Sequence, residues 1–517
     1  MLFNSYEFIF LFLPAVLAGF FVIARRNPRV AVTWLVAASL FFYAWWNPPF
    51  VLLILVSIVF NYAIGSLISS RRGTPARTGH GFPLVLGVSG NLALLGYYKY
   101  SHFFLDTLNQ VARTSWHLDD IVLPIGISFF TFQQIAYLVD THQGRTDEHN
   151  LIHYCLFVCF FPQLIAGPIV HHSEMLGQFR RVSTFIPRAD NFAIGTAIFV
   201  AGLAKKVLLA DQFARIATPA FAAAEGPADL HFFQAWDGAI AYALQLYFDF
   251  SGYSDMAIGL ARLFGILLPL NFDSPYKATS VVDFWRRWHI TLSRFLKDYL
   301  YVPLGGNRRG RCRRYLNLFL TMLLGGLWHG ASWTFVCWGG LHGVGLSINH
   351  AWRFLKRRPV NRWWSRLLAR AATFLFVVVT WVFFRAETFG GALAVLQGMV
   401  NLPFTMGPRL GPLAGLVQGL GVRFEGPFVH TEDLQLTLYL GAWVAFVWLA
   451  PNTQELMGDV GPAHAYLPRT GAPWHKSGWL SRLSWRPSIA WAAVFGLLFS
   501  VCVLSLSQIS EFIYYRF

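Results

Sequence analysis

The sequence predicts an all-α polytopic membrane protein, and three observations lead to this fold class. Of its 517 residues, 55% are hydrophobic and only 13% are charged, whereas average soluble domains carry about 25% charged residues. Apolar runs of the length needed to cross a bilayer, about 20 residues, recur along the chain. Basic residues cluster between these runs, as the positive-inside rule describes for cytoplasmic loops. We therefore attribute the excess of 41 Lys and Arg over 25 Asp and Glu to such loops, and we expect a lipid bilayer rather than nucleic acid as the partner.

The first four apolar runs set the orientation of the chain. They are Phe8–Ala24, Val30–Trp46, Phe50–Ser69 and Phe82–Tyr98. Arginines follow the first and the third run, and a neutral Asn-Pro-Pro turn follows the second. Loops rich in Lys and Arg stay in the cytoplasm, so the N-terminus is predicted to lie outside.

Proline and glycine interrupt the next two runs, Ile121–Val139 and Leu151–Val170. Such breaks occur in buried helices and also in re-entrant segments that line a cavity, and the sequence leaves both open. Further apolar runs are Phe192–Leu209, Phe232–Leu270, Tyr315–Leu327, Ser332–Ile348, Ala371–Phe384, Leu436–Ala450 and Ile489–Leu506. Counting segments gives about twelve transmembrane helices, with interfacial and re-entrant helices added.

The last run has more basic residues before it than after it. Lys476, Arg482 and Arg486 precede it and only Arg516 follows. We therefore expect the C-terminus outside, like the N-terminus, in a single membrane-embedded unit, 1–517.

Carboxylates occur inside the long run that contains QLYFDFSGYSDMAIG. Asp249, Tyr253 and Asp255 are placed in or near a membrane helix, and Ser251 shares a face with Asp255 by its i,i+4 spacing. Such groups either cap broken helices or line a polar path for a substrate, and the second role makes all three residues candidates for a substrate or donor tunnel. For each residue taken alone, partners within the bundle are the more common case.

The stretch Thr279–Tyr301 is predicted to form an amphipathic interfacial helix that begins with a sequence like a capping box. At about 100° per residue, Trp285 and Leu292 fall on the apolar face with His289 between them, and basic residues fall on the other face. His289 is therefore predicted to point into the protein.

His329 lies in an otherwise apolar stretch, between Trp328 and Gly330. An ionisable residue within a membrane is a functional candidate by default, and neutral imidazole can take a proton from an alcohol that attacks an acyl group. The neighbouring glycines leave room for a substrate to approach closely. For His342 and His350 we expect the more common role of a hydrogen-bonded core histidine.

A basic loop, Gly305–Arg314, separates these two histidine segments. Arg308, Arg309 and Arg311 either anchor it at the cytoplasmic surface or hold the phosphates of a nucleotide-like donor.

The five cysteines show neither metal-ligand spacing nor a disulfide framework, so we predict no metal site.

Three motifs together are characteristic of a known family. The segments QLYFDFSGYSDMAIG, FWRRWHITLSRFLKDYLYVPLGGNRRG and LLGGLWHGASWTFVCWGGLHG resemble the membrane-bound O-acyltransferase family, and within it the membrane subunits of bacterial alginate O-acetyltransferases. MLFNSYEFIFLFLP and LPIGISFFTFQQIAYLVD resemble them too. The likeness covers residues 1–390. Residues 391–487 form a variable region with one span, and residues 488–517 hold the last span.

The resemblance implies a function and a set of roles. It implies a bundle of helices around a central funnel or tunnel in the bacterial inner membrane, with acetyl-CoA as the acyl donor and no bound cofactor. The family's catalytic histidine falls on His329, and a second family position falls on His289, with Trp285 and Trp328 beside the tunnel. Periplasmic or membrane-anchored acetyltransferases of the same pathway are the implied partners, and the polysaccharide is reached through them.

The C-terminal EFIYYRF matches a Phe-x-Tyr-x-x-Phe pattern, with Phe512, Tyr514 and Phe517. A small partner in the related teichoic acid D-alanylation systems ends in a similar motif. We hypothesise that Tyr514 accepts the acetyl group with His329 as base and passes it to an external transferase. A phenol has a pKa of about 10, so a tyrosyl ester is a good acyl carrier. The alternative is an aromatic belt that anchors the terminus.

Two alternatives to polysaccharide O-acetylation stay open. One is an acetyl or polysaccharide transporter, or a scaffold subunit, without chemistry of its own. The other is acylation of a lipid or a protein, as in other branches of the superfamily.

Overall fold

The structure, a computed structural model, describes residues 1–71, 81–146, 148, 150–227, 230–355, 362–401, 405–406, 423–424, 434–466 and 484–506. These residues are almost entirely helical, which confirms the predicted all-α fold class. The described strands are Thr405–Met406 and Arg423–Phe424, which pair in parallel with Thr405 opposite Arg423.

The α-helices are numbered in chain order. They are α1 (Leu13–Ala24), α2 (Pro28–Ala44), α3 (Pro49–Ser70), α4 (Phe82–Leu95), α5 (Ser101–Ala112), α6 (Ile127–His142), α7 (Leu151–Cys159), α8 (Phe161–Leu164), α9 (His172–Phe179), α10 (Ala189–Ala204), α11 (Asp211–Ala224), α12 (Phe232–Leu263), α13 (Val281–Trp285), α14 (Ile290–Leu296), α15 (Arg311–His329), α16 (Trp333–Leu355), α17 (Trp363–Arg385), α18 (Phe389–Val400), α19 (Leu434–Leu449), α20 (Thr453–Leu456) and α21 (Ile489–Leu504). Segments of π-helix extend four of them, at Glu7–Phe12, Gly96–Tyr100, Lys205–Ala210 and Lys297–Tyr301. Short 3₁₀ turns lie at Val182–Phe185, Pro275–Lys277 and Gly458–Val460.

Four helical stretches of the described chain are long and apolar enough to cross a membrane. They are Glu7–Ala24, Pro49–Ser70, Ala189–Ala224 and Trp363–Arg385. Shorter apolar helices are Pro28–Ala44, Phe389–Val400, Gln435–Leu449 and Ile489–Leu504. The predicted total of about twelve spans stays a prediction.

Side-chain caps explain where several helices begin. The Asn27 side chain accepts from the backbone N–H of Arg29, and Pro28 fills the first helical position of α2. Asn150, Ser280 and Ser488 cap α7, α13 and α21 in the same way. Each cap satisfies a backbone donor that the helix itself leaves without a partner.

The chain divides into two compact units. The first comprises Met1–Leu203, Tyr253–Leu270 and the described part of the chain from Leu456 onwards. The second comprises Ala204–Gly252 and the described residues of Asn271–Glu455.

Buried amides tie helices together in the first unit. Asn61 of α3 and Asn91 of α4 exchange two hydrogen bonds, of 3.1 and 2.6 Å. Gln134 of α6 donates to Ser57 of α3 at 2.9 Å, and the Tyr154 hydroxyl of α7 donates to Gln134 at 3.3 Å. Interhelical hydrogen bonds of this kind hold membrane helices together where the hydrophobic effect cannot.

Two of the predicted apolar runs differ in how far they stay helical. The run Leu151–Val170 is split at Phe160, which has an extended ψ of 109°, just before Pro162. The run Phe232–Leu270 contains one helix of 32 residues, α12, which ends at Leu263. The carboxylates predicted there thus lie on a continuous helix and do not cap a broken one.

Backbone contact between α15 and α16 dominates the second unit. A methyl group added to Gly326 of α15 would lie 3.0 Å from the Cα of Gly339 of α16 and would also strike the carbonyl oxygen of Phe335. A methyl group on Gly339 would strike the carbonyl oxygen of Met322 in return. Small residues allow membrane helices to approach this closely, so Gly326 and Gly339 fix the α15–α16 hairpin.

Candidate active site

His289 lies at a break between two short helices of the second unit. The sequence analysis expected one helix over Thr279–Tyr301, and this expectation is wrong. α13 ends at Trp285, α14 begins at Ile290, and His289 between them has a left-handed φ of +43°. The predicted burial holds, because His289 has no exposed surface. A non-glycine residue in this region stores about 1–3 kcal/mol of strain, a feature that concentrates at functional sites.

Asn271 makes the contacts that hold this break in place. Its backbone carbonyl accepts from the Ile290 N–H at 2.9 Å. Its side-chain oxygen lies 3.1 Å from Nδ1 of His289 and accepts from both the hydroxyl and the N–H of Thr291, at 3.0 and 3.4 Å. Asn271 itself is completely buried. Sequence reasoning missed Asn271, because it lies 18 residues before His289 and nothing in the sequence indicates that the two side chains meet.

His329 is the last residue of α15 and is 2% exposed. Gly330 follows it in an extended conformation. A side chain at Gly330 would collide with the ring of Phe335, the nearest atom pairs being closer than any real contact. Gly330 is therefore required by the space around it, and the Phe335 ring occupies the room that the sequence analysis expected this glycine to leave for a substrate.

The structure brings the two predicted histidines together. The ring centres of His289 and His329 lie 6.3 Å apart, and the Trp328 ring lies 6.3 Å from His289 and 4.9 Å from His329. Phe250 contacts His289 from α12, with ring centres 4.7 Å apart and planes at 89°.

Aromatic rings surround His329 in the same unit. Its ring centre lies 5.1 Å from that of Trp338 and 5.3 Å from that of Phe384. A cation within about 6 Å of an aromatic ring is stabilised by the ring quadrupole. The negative end of the α15 dipole also favours a positive charge at the last residue of the helix. The helix end and the rings therefore offset part of the cost that burial imposes on a positive charge at His329.

Trp285, predicted beside the tunnel, binds another histidine. Its indole N–H donates to Nδ1 of His342 at 3.1 Å, and Nε2 of His342 lies 3.1 Å from the hydroxyl of Thr380. That hydroxyl donates to the carbonyl of Val377 at 2.9 Å. Both nitrogens of His342 therefore have partners, which confirms the expectation that His342 is a hydrogen-bonded core histidine.

Asp249 of α12 is buried beside a lysine. Its carboxylate lies 2.5 Å from the ammonium of Lys206, which also contacts Asp211 at 3.1 Å. This ion-pair cluster favours the interpretation of Asp249 as a residue with partners inside the bundle. Tyr253 and Asp255 fall in the first unit, where both are buried and the Tyr253 ring stacks on Phe3 at 4.9 Å.

The three donor-phosphate candidates lie around the start of α15. Arg308, Arg309 and Arg311 are exposed, and the guanidinium of Arg311 lies 4.0 Å from the ring centre of Phe354. Gly305, Gly306 and Gly310 have positive φ angles and shape the loop. Tyr514, Phe512 and Phe517 lie outside the residues that the structure describes. The relay role of Tyr514 stays a prediction.

The described residues contain no group of three or more His, Cys, Asp or Glu side chains that could hold a metal ion. What the second unit offers instead is a pair of buried imidazoles among aromatic rings. Such a pair can accept and release protons in acyl transfer to a hydroxyl group.

Comparisons with known proteins agree with this chemistry. The sequence profile of the membrane-bound O-acyltransferase family matches residues 142–386. A probable alginate O-acetylase of Pseudomonas aeruginosa is 40% identical over the full length of both chains. A peptidoglycan O-acetyltransferase of Helicobacter pylori is 46% identical over 78% of this chain and 80% of its own. A teichoic acid D-alanyltransferase of Streptococcus thermophilus is 27% identical over 50% of this chain and 68% of its own.

The fold and these similarities define an integral membrane enzyme of the acyl-transfer class. The chain belongs to the membrane-bound O-acyltransferase family, and it is an O-acyltransferase. This result confirms the family resemblance that the three sequence motifs predicted.

Proposed function

We propose that this O-acyltransferase takes an acetyl group from acetyl-CoA in the cytoplasm and delivers it across the bacterial inner membrane for O-acetylation of an exopolysaccharide such as alginate or cellulose. The observation that carries the proposal is the buried pair His289 and His329, 6.3 Å apart between ring centres. The full-length similarity to an alginate O-acetylase supports the polymer class.

In this proposal His329 is the catalytic base. It takes the proton of the acceptor hydroxyl as that oxygen attacks the carbonyl carbon of the thioester. The new C–O bond forms, the C–S bond breaks, and the proton passes from the imidazolium to the thiolate, so that an ester and free CoA thiol result. The end of α15 and the rings of Trp338 and Phe384 support the charged intermediate form of His329. His289 supports the base.

The roles of the remaining candidates follow from their surroundings. Trp328 contacts both histidines and is proposed to line the tunnel, as are Trp285, Tyr253 and Asp255. The ion pair of Asp249 with Lys206 favours a structural role for Asp249. Arg308, Arg309 and Arg311 are proposed to meet the donor phosphates, because guanidinium groups bind phosphate with paired hydrogen bonds.

Delivery to the polymer requires a second step outside. Tyr514 is proposed as the acyl relay, with both termini on the periplasmic side, and periplasmic or membrane-anchored acetyltransferases as partners that complete transfer. The second candidate role for the C-terminal motif is an interfacial aromatic anchor.

The test replaces His329 by Ala and measures ester-linked acetate on the secreted polysaccharide, together with polymer yield and protein level in the membrane. General-base catalysis contributes about 10²–10⁴-fold, so we expect acetate to fall below detection at normal polymer yield. His342→Gln is the matched control, because Gln can accept from Trp285 and donate to Thr380. Unchanged acetate would overturn the proposal, and loss of the polymer itself would favour the exporter alternative.

A second polymer class is supported by a separate observation. The peptidoglycan O-acetyltransferase of Helicobacter pylori is 46% identical to this chain, although over a smaller share of it. Acetate on muropeptides, absent in cells carrying His329→Ala, with an unacetylated exopolysaccharide would assign the enzyme to peptidoglycan.

A further inference from the structure

We infer that Asn271 is a positioning residue that holds His289 in one neutral tautomer, with the proton on Nδ1 and the lone pair of Nε2 directed into the site. The inference rests on the proposed function of the histidine pair and extends it to a residue with no assigned role. It also decides between two roles for His289, namely a hydrogen-bond acceptor that orients the base and a donor that polarises the thioester carbonyl.

The contacts around Asn271 determine which of its side-chain atoms faces His289. The backbone N–H of Thr291 points to the same side-chain atom at 3.4 Å. A backbone N–H can only donate, so this atom is the carbonyl oxygen and not the amide nitrogen. The Thr291 hydroxyl donates to it as well, at 3.0 Å.

An oxygen that faces Nδ1 of His289 at 3.1 Å can only accept. Nδ1 must therefore carry the proton, and in a neutral imidazole Nε2 then carries the lone pair. Nε2 of His289 is buried and has no hydrogen-bond partner among the described residues. A buried polar atom without a partner costs about 1–3 kcal/mol, which is tolerable where a substrate supplies the missing contact.

The backbone enforces the same arrangement. The left-handed φ of His289 and the bond from the Ile290 N–H to the Asn271 carbonyl place the imidazole against the amide. Asn271 thus binds both residues at the helix break. Its backbone carbonyl binds Ile290, and its side chain binds His289. We expect the Nε2 lone pair to accept a hydrogen bond from a hydroxyl or an imidazole N–H within the histidine pair, and not to donate to a carbonyl.

The experiment uses membranes from cells that contain the full chain and its pathway. Label transferred from radioactive acetyl-CoA into polymer is measured as a function of pH for wild type, Asn271→Asp, Asn271→Leu and the matched control Thr291→Val.

The Asp side chain of Asn271→Asp keeps the acceptor oxygen and adds a negative charge, which raises the pKa of His289. If Nε2 must be unprotonated, the acid limb of the profile moves to higher pH in Asn271→Asp. Asn271→Leu should lose at least about tenfold in maximal rate, since a wrong tautomer can cost up to about 10⁴-fold in other enzymes. Thr291→Val removes one hydrogen bond to the Asn271 oxygen but leaves this oxygen facing His289. It should therefore lose less rate than Asn271→Leu, and its acid limb should stay at the wild-type pH.

The outcomes separate this inference from the proposed function. A wild-type rate and profile in both Asn271 variants, with transfer lost in His329→Ala, would overturn the inference alone. Higher activity of Asn271→Asp on the acid side would also overturn it, because it would mean that the protonated His289 is the working form. Full transfer in His329→Ala would overturn the proposed function itself. Asn271→Asp retains a polar group of the same size, so it tests the inference even if Asn271→Leu fails to fold.

Discussion

The imidazoles of His289 and His329, 6.3 Å apart between ring centres, stand at opposite kinds of helix end. His289 precedes the first turn of α14, where backbone N–H groups disfavour a positive charge, and His329 closes α15, where carbonyl groups favour one. The two rings therefore differ in which protonation state their backbone supports. In the proposed mechanism, this difference favours the proton on His329 and the neutral lone pair on His289.

The space around Gly330 gives a first prediction. We expect Gly330→Ala to lower acetyl transfer at least about tenfold, because its methyl group would strike the Phe335 ring and displace the adjacent His329. Acetate per polymer at equal protein level is the measurement. The double variant Gly330→Ala/Phe335→Ala removes the obstacle and should recover part of the activity. A double variant no better than the single one would contradict this steric account.

The ion pair of Lys206 and Asp249 gives a prediction about stability. Lys206→Met leaves the buried Asp249 carboxylate without this partner, and such a loss typically costs about 3–5 kcal/mol. We expect a clearly lower Tm of the detergent-solubilised protein. Lys206→Met/Asp249→Asn removes both charges and should melt closer to wild type. Equal Tm values for wild type and Lys206→Met would show that the pair contributes nothing to the free energy of unfolding.

Glu148, in the loop before α7, gives a prediction about pH. Burial acts to raise its pKa, but the hydrogen bond with His172, the Asn150 N–H and the charges of His172 and His153 outweigh burial, so the pKa lies below its usual range. The folded state therefore holds this proton more weakly than the unfolded chain does. The stabilisation is complete above the ordinary glutamate pKa and disappears as pH falls through the lowered value. Melting curves between pH 3 and 7 should show a steeper loss of Tm at the acid end for wild type than for Glu148→Gln. Parallel curves would exclude a contribution from Glu148.

The C-terminal motif allows a matched pair of substitutions. If Tyr514 carries the acetyl group, Tyr514→Phe should abolish polymer acetylation, because it removes only the accepting oxygen. Tyr515→Phe makes the same change one residue later and should have no effect. Acetate content and membrane level are measured for both. Normal acetylation in Tyr514→Phe would assign the motif to interfacial anchoring.

The sequence predicted the burial of the candidate site residues better than it predicted the local backbone. The burial of His289 and the setting of His329 follow from apolar patterning, which reports which side of a segment faces the protein. The break at His289 does not follow from this patterning. The amphipathic pattern is the same whether or not a left-handed residue interrupts the helix. A tertiary contact, with Asn271, imposes that break.

Partners across the fold were likewise beyond sequence reasoning. Lys206 lies in the apolar run Phe192–Leu209 and Asp249 in the run Phe232–Leu270, and nothing in their spacing indicates that they pair. Trp285 is predicted beside the tunnel, and nothing in the sequence indicates that its indole N–H also donates to His342. Pairings between distant segments depend on how the helices pack. A single sequence does not show which residues of two packed helices face each other.

The backbone contact of Gly326 with Gly339 also bears on how the enzyme responds to its membrane. A bilayer that thickens or thins makes helices tilt to match it. Because α15 and α16 touch without intervening side chains, they can tilt only as one body, and His329 moves together with Trp338 rather than against it. Acyl transfer by this enzyme should therefore vary little among membranes of different thickness.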